Sequence, residues 1–331
     1  MRVTAVAHSN IALVKYWGKR PGAGNLPAVG SISVTLDALK TTTGLQFDPD
    51  LKNDQFKLNG QSASHAQTLK VSRFLDRLAG SAERPKAYIE STNNFPTAAG
   101  LASSASGFAA LTLAAASLLE LDTDPRSLSK LARSGSGSSA RSIYGGFVEM
   151  KCGSERTGKN DYAIQLYDEA YWDLSILIAI VSSDPKKTGS TEGMIQTADT
   201  SPFYPGWLES SGKDLSEMKE ALAKKDFPRL GEIAEHSCLK MHGLMMSGQP
   251  PLLYWDPVTL ESIHTIWGLR RQGIPVYFTI DAGPQVKAIC LQEHKESVKQ
   301  RLEAVHGISR IIEAKPGPGV YIENKINDSG E

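Results

Sequence analysis

The stretch that most constrains this chain joins a short β-pattern to a run of alanine and leucine through a turn of small residues and hydroxyls. Residues 86–91 read as a strand, and residues 108–119 are dominated by Ala and Leu, the composition of a helix buried on most sides. Between them, residues 93–107 read Asn-Asn-Phe-Pro-Thr-Ala-Ala-Gly-Leu-Ala-Ser-Ser-Ala-Ser-Gly, with Ser103 or Ser104 expected to cap the helix. Small side chains let an anion approach the backbone, and the first amides of a helix are donors at the positive end of its dipole. The turn therefore suits a polyphosphate. It is not a Walker A loop, because no lysine follows the second glycine. An ordinary strand-to-helix connection is the plain alternative, and only the rest of the chain can decide between them.

A chain of 331 residues fits two domains better than one core. Thirty-six basic residues balance 36 acidic ones, which argues against nucleic acid or an anionic membrane as partner, so any anion site must be local. Three widely spaced cysteines, Cys152, Cys238 and Cys290, fit reduced thiols and a cytoplasmic setting. The first residues lack a signal-peptide pattern, and the most apolar strand, 174–181, is too short to cross a bilayer.

Strands are expected at 2–7, 31–36 and 41–47, and Asn59-Gly60 marks a hairpin. Ser64 is placed to cap a helix whose apolar face is Val71, Phe74, Leu75 and Leu78. Residues 10–20 mix Lys15, Lys19 and Arg20 with Tyr16 and Trp17, a mixture that by itself describes a solvated edge. Residues 132–142 are rich in Gly and Ser and carry Arg141. They read either as a flexible linker or as a second anion loop with a forked donor. A buried strand at 172–181 precedes a domain boundary expected at 183/184, giving domains 1–183 and 184–331. Helices follow at 207–224, 230–246 and from the Asp256 cap to about 271. The strand 276–280 ends in Asp281-Ala282-Gly283-Pro284, where a turn-forming Asp competes with a carboxylate aimed by a rigid strand.

These stretches together resemble the mevalonate diphosphate decarboxylase family of the galactokinase, homoserine kinase, mevalonate kinase and phosphomevalonate kinase superfamily. The motifs that carry the resemblance are residues 10–19, 93–107 and 135–147, Ser190-Thr191-Glu192-Gly193-Met194, Met241-His242 and 281–284, in the family's order. It implies an α+β, two-domain fold: an N-terminal ribosomal-protein-S5-like α/β domain and a C-terminal ferredoxin-like α+β domain, with the active site in the cleft. It also implies ATP-dependent decarboxylation of mevalonate 5-diphosphate through 3-phosphorylation, and a homodimer. The catalytic residues would be Asp281, Lys15, Arg141 and Ser104. Asn10, Tyr16, Lys19, Ser136, Gly137, Ser138, Arg141, Ser190 and Thr191 would bind substrate. ATP would be held by Asn93, Pro96, Ala99, Gly100, Leu101, Ala102, Ser103, Ser104 and Ser106. The seven histidines show no metal-binding spacing, so the expected metal is Mg2+ carried on the ATP phosphates.

Three departures stand out. Ala28-Val29-Gly30 replace polar residues common in the family, Ser139-Ala140 stand where Ala-Cys is usual, and Cys238 stands where Asn is common. Rival readings are a phosphomevalonate decarboxylase, a mevalonate 3-kinase-type relative, and an inactive nucleotide-binding paralogue.

Overall fold

The computed structural model describes residues 1–81, 83–96, 100–182 and 188–326. The expected contribution of Ala99 and the boundary at 183/184 lie outside these residues. Two sheets organise the chain. The larger has eight strands in the order β12-β1-β2-β5-β3-β4, with β6 paired to β2 and to β7. Its strands are β1 (Arg2–Val14), β2 (Ser31–Asp48), β3 (Gln55–Leu58), β4 (Gln61–Ser62), β5 (Lys86–Asn93), β6 (Phe147–Met150), β7 (Ala163–Tyr167) and β12 (Tyr321–Ile326). The smaller is antiparallel, in the order β11-β8-β10-β9. It comprises β8 (Leu174–Ile180), β9 (Val276–Ile280), β10 (Val286–Leu291) and β11 (Arg310–Ala314).

The two sheets do not part the chain at a single point. The strand at 174–180, read from the sequence as the end of the first domain, belongs to the second sheet, and β12 returns to pair with β1. Burial explains why the sequence does not show this. All seven residues of β8 are buried, and such a strand carries no sign of which sheet it joins. The β-runs at 31–36 and 41–47 form one 18-residue strand, which pairs with β6 near one end and β5 near the other.

One face of the larger sheet is covered by α1 (His65–Ala79), α2 (Ser103–Leu118) and α3 (Pro125–Gly135), packed on Val3, Ala5, Leu45 and Ile89. Ser64 makes a full capping box, and the buried residues of α1 are Val71, Phe74, Leu75 and Leu78, as the periodicity predicts. In the smaller sheet, β8 alternates between two cores. Ile176, Ile178 and Ile180 face a core shared with β1, β2, α5 (Tyr204–Lys224) and α6 (Phe227–Met246). Leu177 and Ala179 face α7 (Pro257–Arg271) and α8 (Lys295–Glu303). A further helix, α4 (Ser190–Thr200), packs Met194 against Trp17, Trp207 and Met241. Among the described residues, no helix is long and apolar enough to cross a membrane.

Helix α6 fixes where the site forms, because it lies behind both β1 and β9. At Gly231 the helix meets the Tyr277 ring, and a Cβ added there would sit 2.0 Å from Tyr277 Cδ2. Tyr277 is itself held edge-on by Phe227, so the ring has little room to yield. Gly231→Ala is expected to cost about 1–3 kcal/mol, the usual range for overpacking a core. A denaturant melt checks this, and an unchanged midpoint would mean that the ring moves freely.

Candidate functional site

A cleft of about 1070 Å³ opens between one side of α1, the N-terminal ends of α2 and α4 and the ends of β1 and β9. Among the described residues, seven basic ones line it, Lys15, Lys19, Arg20, Lys70, Arg73, Arg77 and Arg141, against one carboxylate, Asp281. A neutral chain thus concentrates positive charge in one concavity, which favours a polyanionic ligand.

Asp281 follows the last residue of β9. Lys15, the first residue after β1, points its Nζ at Asp281 Oδ1 at 2.6 Å while its side chain is 1% exposed. Its backbone N–H donates to Ser237 Oγ of α6 at 2.9 Å. The basic, aromatic stretch after residue 14 is therefore not the solvated edge that its composition suggests. Trp17 is buried with Met194, Trp207 and Met241, and Trp207 Nε1 donates to the Trp17 carbonyl at 3.0 Å. Lys287 of β10 brings a second ammonium 3.2 Å from Asp281 Oδ2. Burial alone would raise the Asp281 carboxyl, but Lys15 and Lys287 outweigh it and hold the group well below the usual carboxylate range.

Helix α6 also clamps the peptide just before Asp281. The Ile280 N–H donates to Cys238 Sγ at 3.2 Å, and His242 Nε2 lies 3.2 Å from the Ile280 carbonyl. Burial pulls His242 down to about 3 and pushes the Cys238 thiol up to about 11, so both are neutral here. A thiol thus occupies the place where Asn is common and still contacts the strand.

The turn at 100–102 is pinned from below. Gly100 has φ +80° and Ala102 φ +54°, and Ala102, not a serine, is the N-cap of α2. Ser103 and Ser104 are instead the first residues inside the helix, because the left-handed Ala102 already turns the chain into it. Ser9 of β1 donates to the Leu101 and Ala102 carbonyls at 2.7 and 3.1 Å. Lys287 Nζ donates to the Gly100 carbonyl at 3.0 Å. With these carbonyls directed away, the start of α2 faces the cleft.

The Gly/Ser stretch at 132–142 is no linker: it is the end of α3 and a 3-10 turn, Gly137–Ile143. It meets the first turn of α2, with Ser104 Oγ 3.3 Å from Ser136 Oγ. Gly137 is required because a Cβ would lie 2.3 Å from the Tyr16 hydroxyl, which is buried without a hydrogen-bond partner among the described residues. Arg141, 2% exposed, has neutral partners among the described residues: Ser31 Oγ at 2.7 Å, Ser33 Oγ at 3.0 Å and Asn10 Oδ1 at 3.1 Å. Burial draws its guanidinium down to about 10. Asn10 is oriented in turn by donating to Ser142 Oγ at 2.8 Å. Lys19 Nζ donates to Asn25 Oδ1 at 2.8 Å and Thr191 Oγ1 at 3.0 Å, again with no carboxylate partner among the described residues.

Of the residues singled out in the sequence, Asn10, Lys15, Tyr16, Lys19, Arg141 and Asp281 line the cleft. So do Gly100, Ala102, Ser103 and Ser104 on one side, and Ser136, Gly137, Ser138, Ser190 and Thr191 on the other. Asn93 lines a smaller neighbouring pocket. Pro96, Leu101 and Ser106 line neither. Ser106 is fully buried and hydrogen-bonds Thr41 Oγ1 at 2.6 Å. Residues 27–31 lie outside the cleft lining as well. Val29 is buried against the Trp17 and Met241 cluster, so the apolar replacements there remove nothing from its wall. Ala140 is buried beside Val148 and Met150, and Ser139 Oγ donates to the Ala132 carbonyl. The sequence reading missed Lys287, and it missed Lys70, Arg73 and Arg77 of α1. The first was visible as a lysine inside an apolar strand, the others as a basic stripe at helical spacing.

The comparisons agree with this geometry. Residues 7–163 match the family model of the diphosphomevalonate decarboxylase-like N-terminal domain, and residues 176–321 match that of the mevalonate 5-diphosphate decarboxylase C-terminal domain. The diphosphomevalonate decarboxylase of Candida albicans is 36% identical over 96% of each chain. The human one is 36% identical over 88% of this chain and 77% of its own. The solved mevalonate diphosphate decarboxylase of Staphylococcus aureus superposes with a TM-score of 0.91 at 39% identity, covering 98% of both chains. A structure of MDDEF in complex with MVAPP, AMPPCP and magnesium gives 0.91 at 41% identity, covering 98% of this chain and 99% of the other. The fold and cleft are thus those of a two-domain, ATP-dependent decarboxylase. This chain belongs to the diphosphomevalonate decarboxylase family.

Arg141 gives the sharpest check on the cleft. A buried cation without a carboxylate is costly, so replacing it with an apolar side chain is expected to leave stability equal or higher. Arg141→Met should keep or raise the melting temperature while weakening binding of the anionic substrate by about 2–5 kcal/mol. Thermal melting beside calorimetric titration reads both. A clear drop in melting temperature with affinity retained would make Arg141 a structural residue.

Proposed function

We propose that this chain catalyses the ATP-dependent decarboxylation of mevalonate 5-diphosphate to isopentenyl diphosphate, ADP, phosphate and carbon dioxide. The observation that carries this reading is the charge pattern of the cleft: among the described residues that line it, one ionised carboxylate, held by Lys15 and Lys287, stands against an excess of cations, of which Arg141 and Lys19 are hydrogen-bonded to neutral groups. Such a site needs a substrate that brings several negative charges and one hydroxyl to be phosphorylated.

In this reading, the first turn of α2 and Ser104 face the ATP phosphates. The smaller pocket, lined by Phe56, Leu58, Val71, Ile89 and Leu111, takes the base. Lys19, Tyr16 and the turn at 136–138 hold the 5-diphosphate, with Arg73, Ser190 and Thr191 beside them. Arg141 faces the substrate carboxylate with its fork of donors. The residues present fit a magnesium–nucleotide complex. Asp281 is committed to two lysines, so the ion would be held by phosphate oxygens and the Ser104 hydroxyl, where it supplies neutralising charge.

Asp281 orients the 3-hydroxyl toward the γ-phosphorus. Its low basicity places proton departure late, which suits a phosphoryl transfer with little bonding to the nucleophile in the transition state. Lys15 stabilises the charge that develops on the transferring group. In the second step the C1–C2 bond breaks to release carbon dioxide. Its electron pair forms the C2–C3 double bond, and the 3-phosphate leaves with the C3–O pair. No separate base is required.

Carbon dioxide and ADP should be measured together with mevalonate, its 5-phosphate and its 5-diphosphate. Rapid release of both from the 5-diphosphate is expected. ADP without carbon dioxide would make the chain a 3-kinase, and a preference for the 5-phosphate would make it the monophosphate enzyme. Nucleotide binding with no turnover on any of the three would make it an inactive relative.

Asp281→Asn should lower turnover by roughly 10²–10⁴-fold, the range for general acid–base help, with smaller changes in both KM values. It also leaves two buried ammonium groups without a counter-charge, so its melting temperature should fall. Turnover must therefore be compared per folded molecule, and a near-normal value would remove Asp281 from the mechanism. The carboxyl is depressed on folding, so its ion pairs are intact above the ordinary carboxylate pKa and are lost only as pH falls through the lower folded value. Between roughly pH 5 and 8 the rate should show no titration of Asp281.

A further inference from the structure

Lys287 stands where the pattern of a core strand calls for an apolar side chain. It lies between Val286 and Ala288 of β10, opposite Thr279 of β9, and is 1% exposed. Neutralising Asp281 does not account for it, because Lys15 already lies 2.6 Å from the same carboxylate. A purely local hairpin role fails too, since the Lys287 ammonium also reaches the Gly100 carbonyl, 187 positions away in the chain. The two backbones it joins are in contact there. A Cβ on Gly100 would lie 3.0 Å from the Gly283 Cα, two residues past Asp281.

We propose that Lys287 is a positioning residue: one ammonium ties the turn before α2 to the Asp281 carboxylate and fixes the gap in which phosphoryl transfer takes place. The proposal rests on the reading of Asp281 given above. It assigns the two lysines different work. Lys15 approaches Oδ1 from the first sheet, and Lys287 holds Oδ2 and the phosphate-facing turn together from the second. The Oδ2 atom is buried and within ion-pair distance of Lys287, while the Asp281 side chain as a whole remains 23% exposed to the cleft, so a substrate hydroxyl meets the carboxylate from its open side.

The charged and titratable groups around Asp281 are few. Lys15 comes from the end of β1, Lys287 from β10, Cys238 and His242 from α6, and Arg141 from the 3-10 turn. Cys238 and His242 are neutral near pH 7, so removing Lys287 leaves Lys15 and the more distant Arg141 as counter-charges.

The test uses the full chain with Lys287→Met, Lys287→Gln and Lys287→Arg. It compares melting temperature, kcat and KM for both substrates, and the ¹³C titration of the Asp281 carboxyl, assigned by its loss in Asp281→Asn. Lys287→Met is expected to lose about 10²-fold in kcat, the cost of a misplacement near 1 Å, with KM values changed much less. Its Asp281 titration should rise by about 1–3 pH units, the effect of losing one adjacent opposite charge. Lys287→Gln keeps a donor for Gly100 without the charge. It should regain part of the rate but not the titration, and Lys287→Arg should keep the titration low. Wild-type kcat in folded Lys287→Met overturns the proposal, as does a lower kcat with an unmoved titration. Should Lys287→Met not fold, Lys287→Gln gives the same two readings. If wild type releases no carbon dioxide while the titration moves as stated, the functional reading fails and the coupling of Lys287 to Asp281 stands.

Discussion

The contact on which this structure depends is the Lys15–Asp281 ion pair. One partner directly follows the first strand of the larger sheet, and the other directly follows a strand of the smaller sheet. A buried ammonium and a carboxylate only 23% exposed carry a desolvation cost, so the pair persists only where its neighbours hold it in good geometry. Those neighbours come from α6, whose Ser237 fixes the Lys15 backbone and whose Cys238 and His242 fix the peptide before Asp281. Thr279 adds a direct link, its hydroxyl donating to the Ala12 carbonyl at 3.2 Å. The sheets are thus joined at the wall of the cleft.

The same economy governs the anion-facing loops. Their carbonyls are occupied by Ser9 and Lys287, and their small residues are demanded by close approaches such as Gly137 on Tyr16. Arg141 and Lys19 are surrounded by hydroxyls and amides instead of carboxylates. These partners orient a cation without neutralising it, so the charge remains available to a ligand. Tyr16, pushed up to about 12 by burial, keeps its proton and can donate.

Much of this was legible in the sequence, and the limits have physical causes. Helix α1 followed from its cap and apolar spacing, and the Asn59-Gly60 hairpin from its left-handed turn residues. Asp281 and Lys15, which directly follow strands, were singled out through motif order, and both line the cleft. Sheet membership was not legible, because β8 is apolar on both faces and β12 pairs with a strand more than three hundred residues earlier. Ser106 was misplaced because alternate residues of a helical first turn face opposite sides, and its side faces Thr41. Lys287 escaped notice because a single lysine in a strand reads as an edge until its partners are known.

The pairing of β12 with β1, from Arg2 opposite Ile326 to Val6 opposite Tyr321, makes the larger sheet discontinuous in sequence. During synthesis, β1 emerges first but its outer edge stays open until the entire smaller sheet has been made. The first sheet therefore closes last, after the ribosome has passed both halves of the site. Such long-range closure slows folding and leaves an exposed edge open to mispairing in the nascent chain. Residues 321–326 act in this sense as a completion signal for the sheet that bears Lys15.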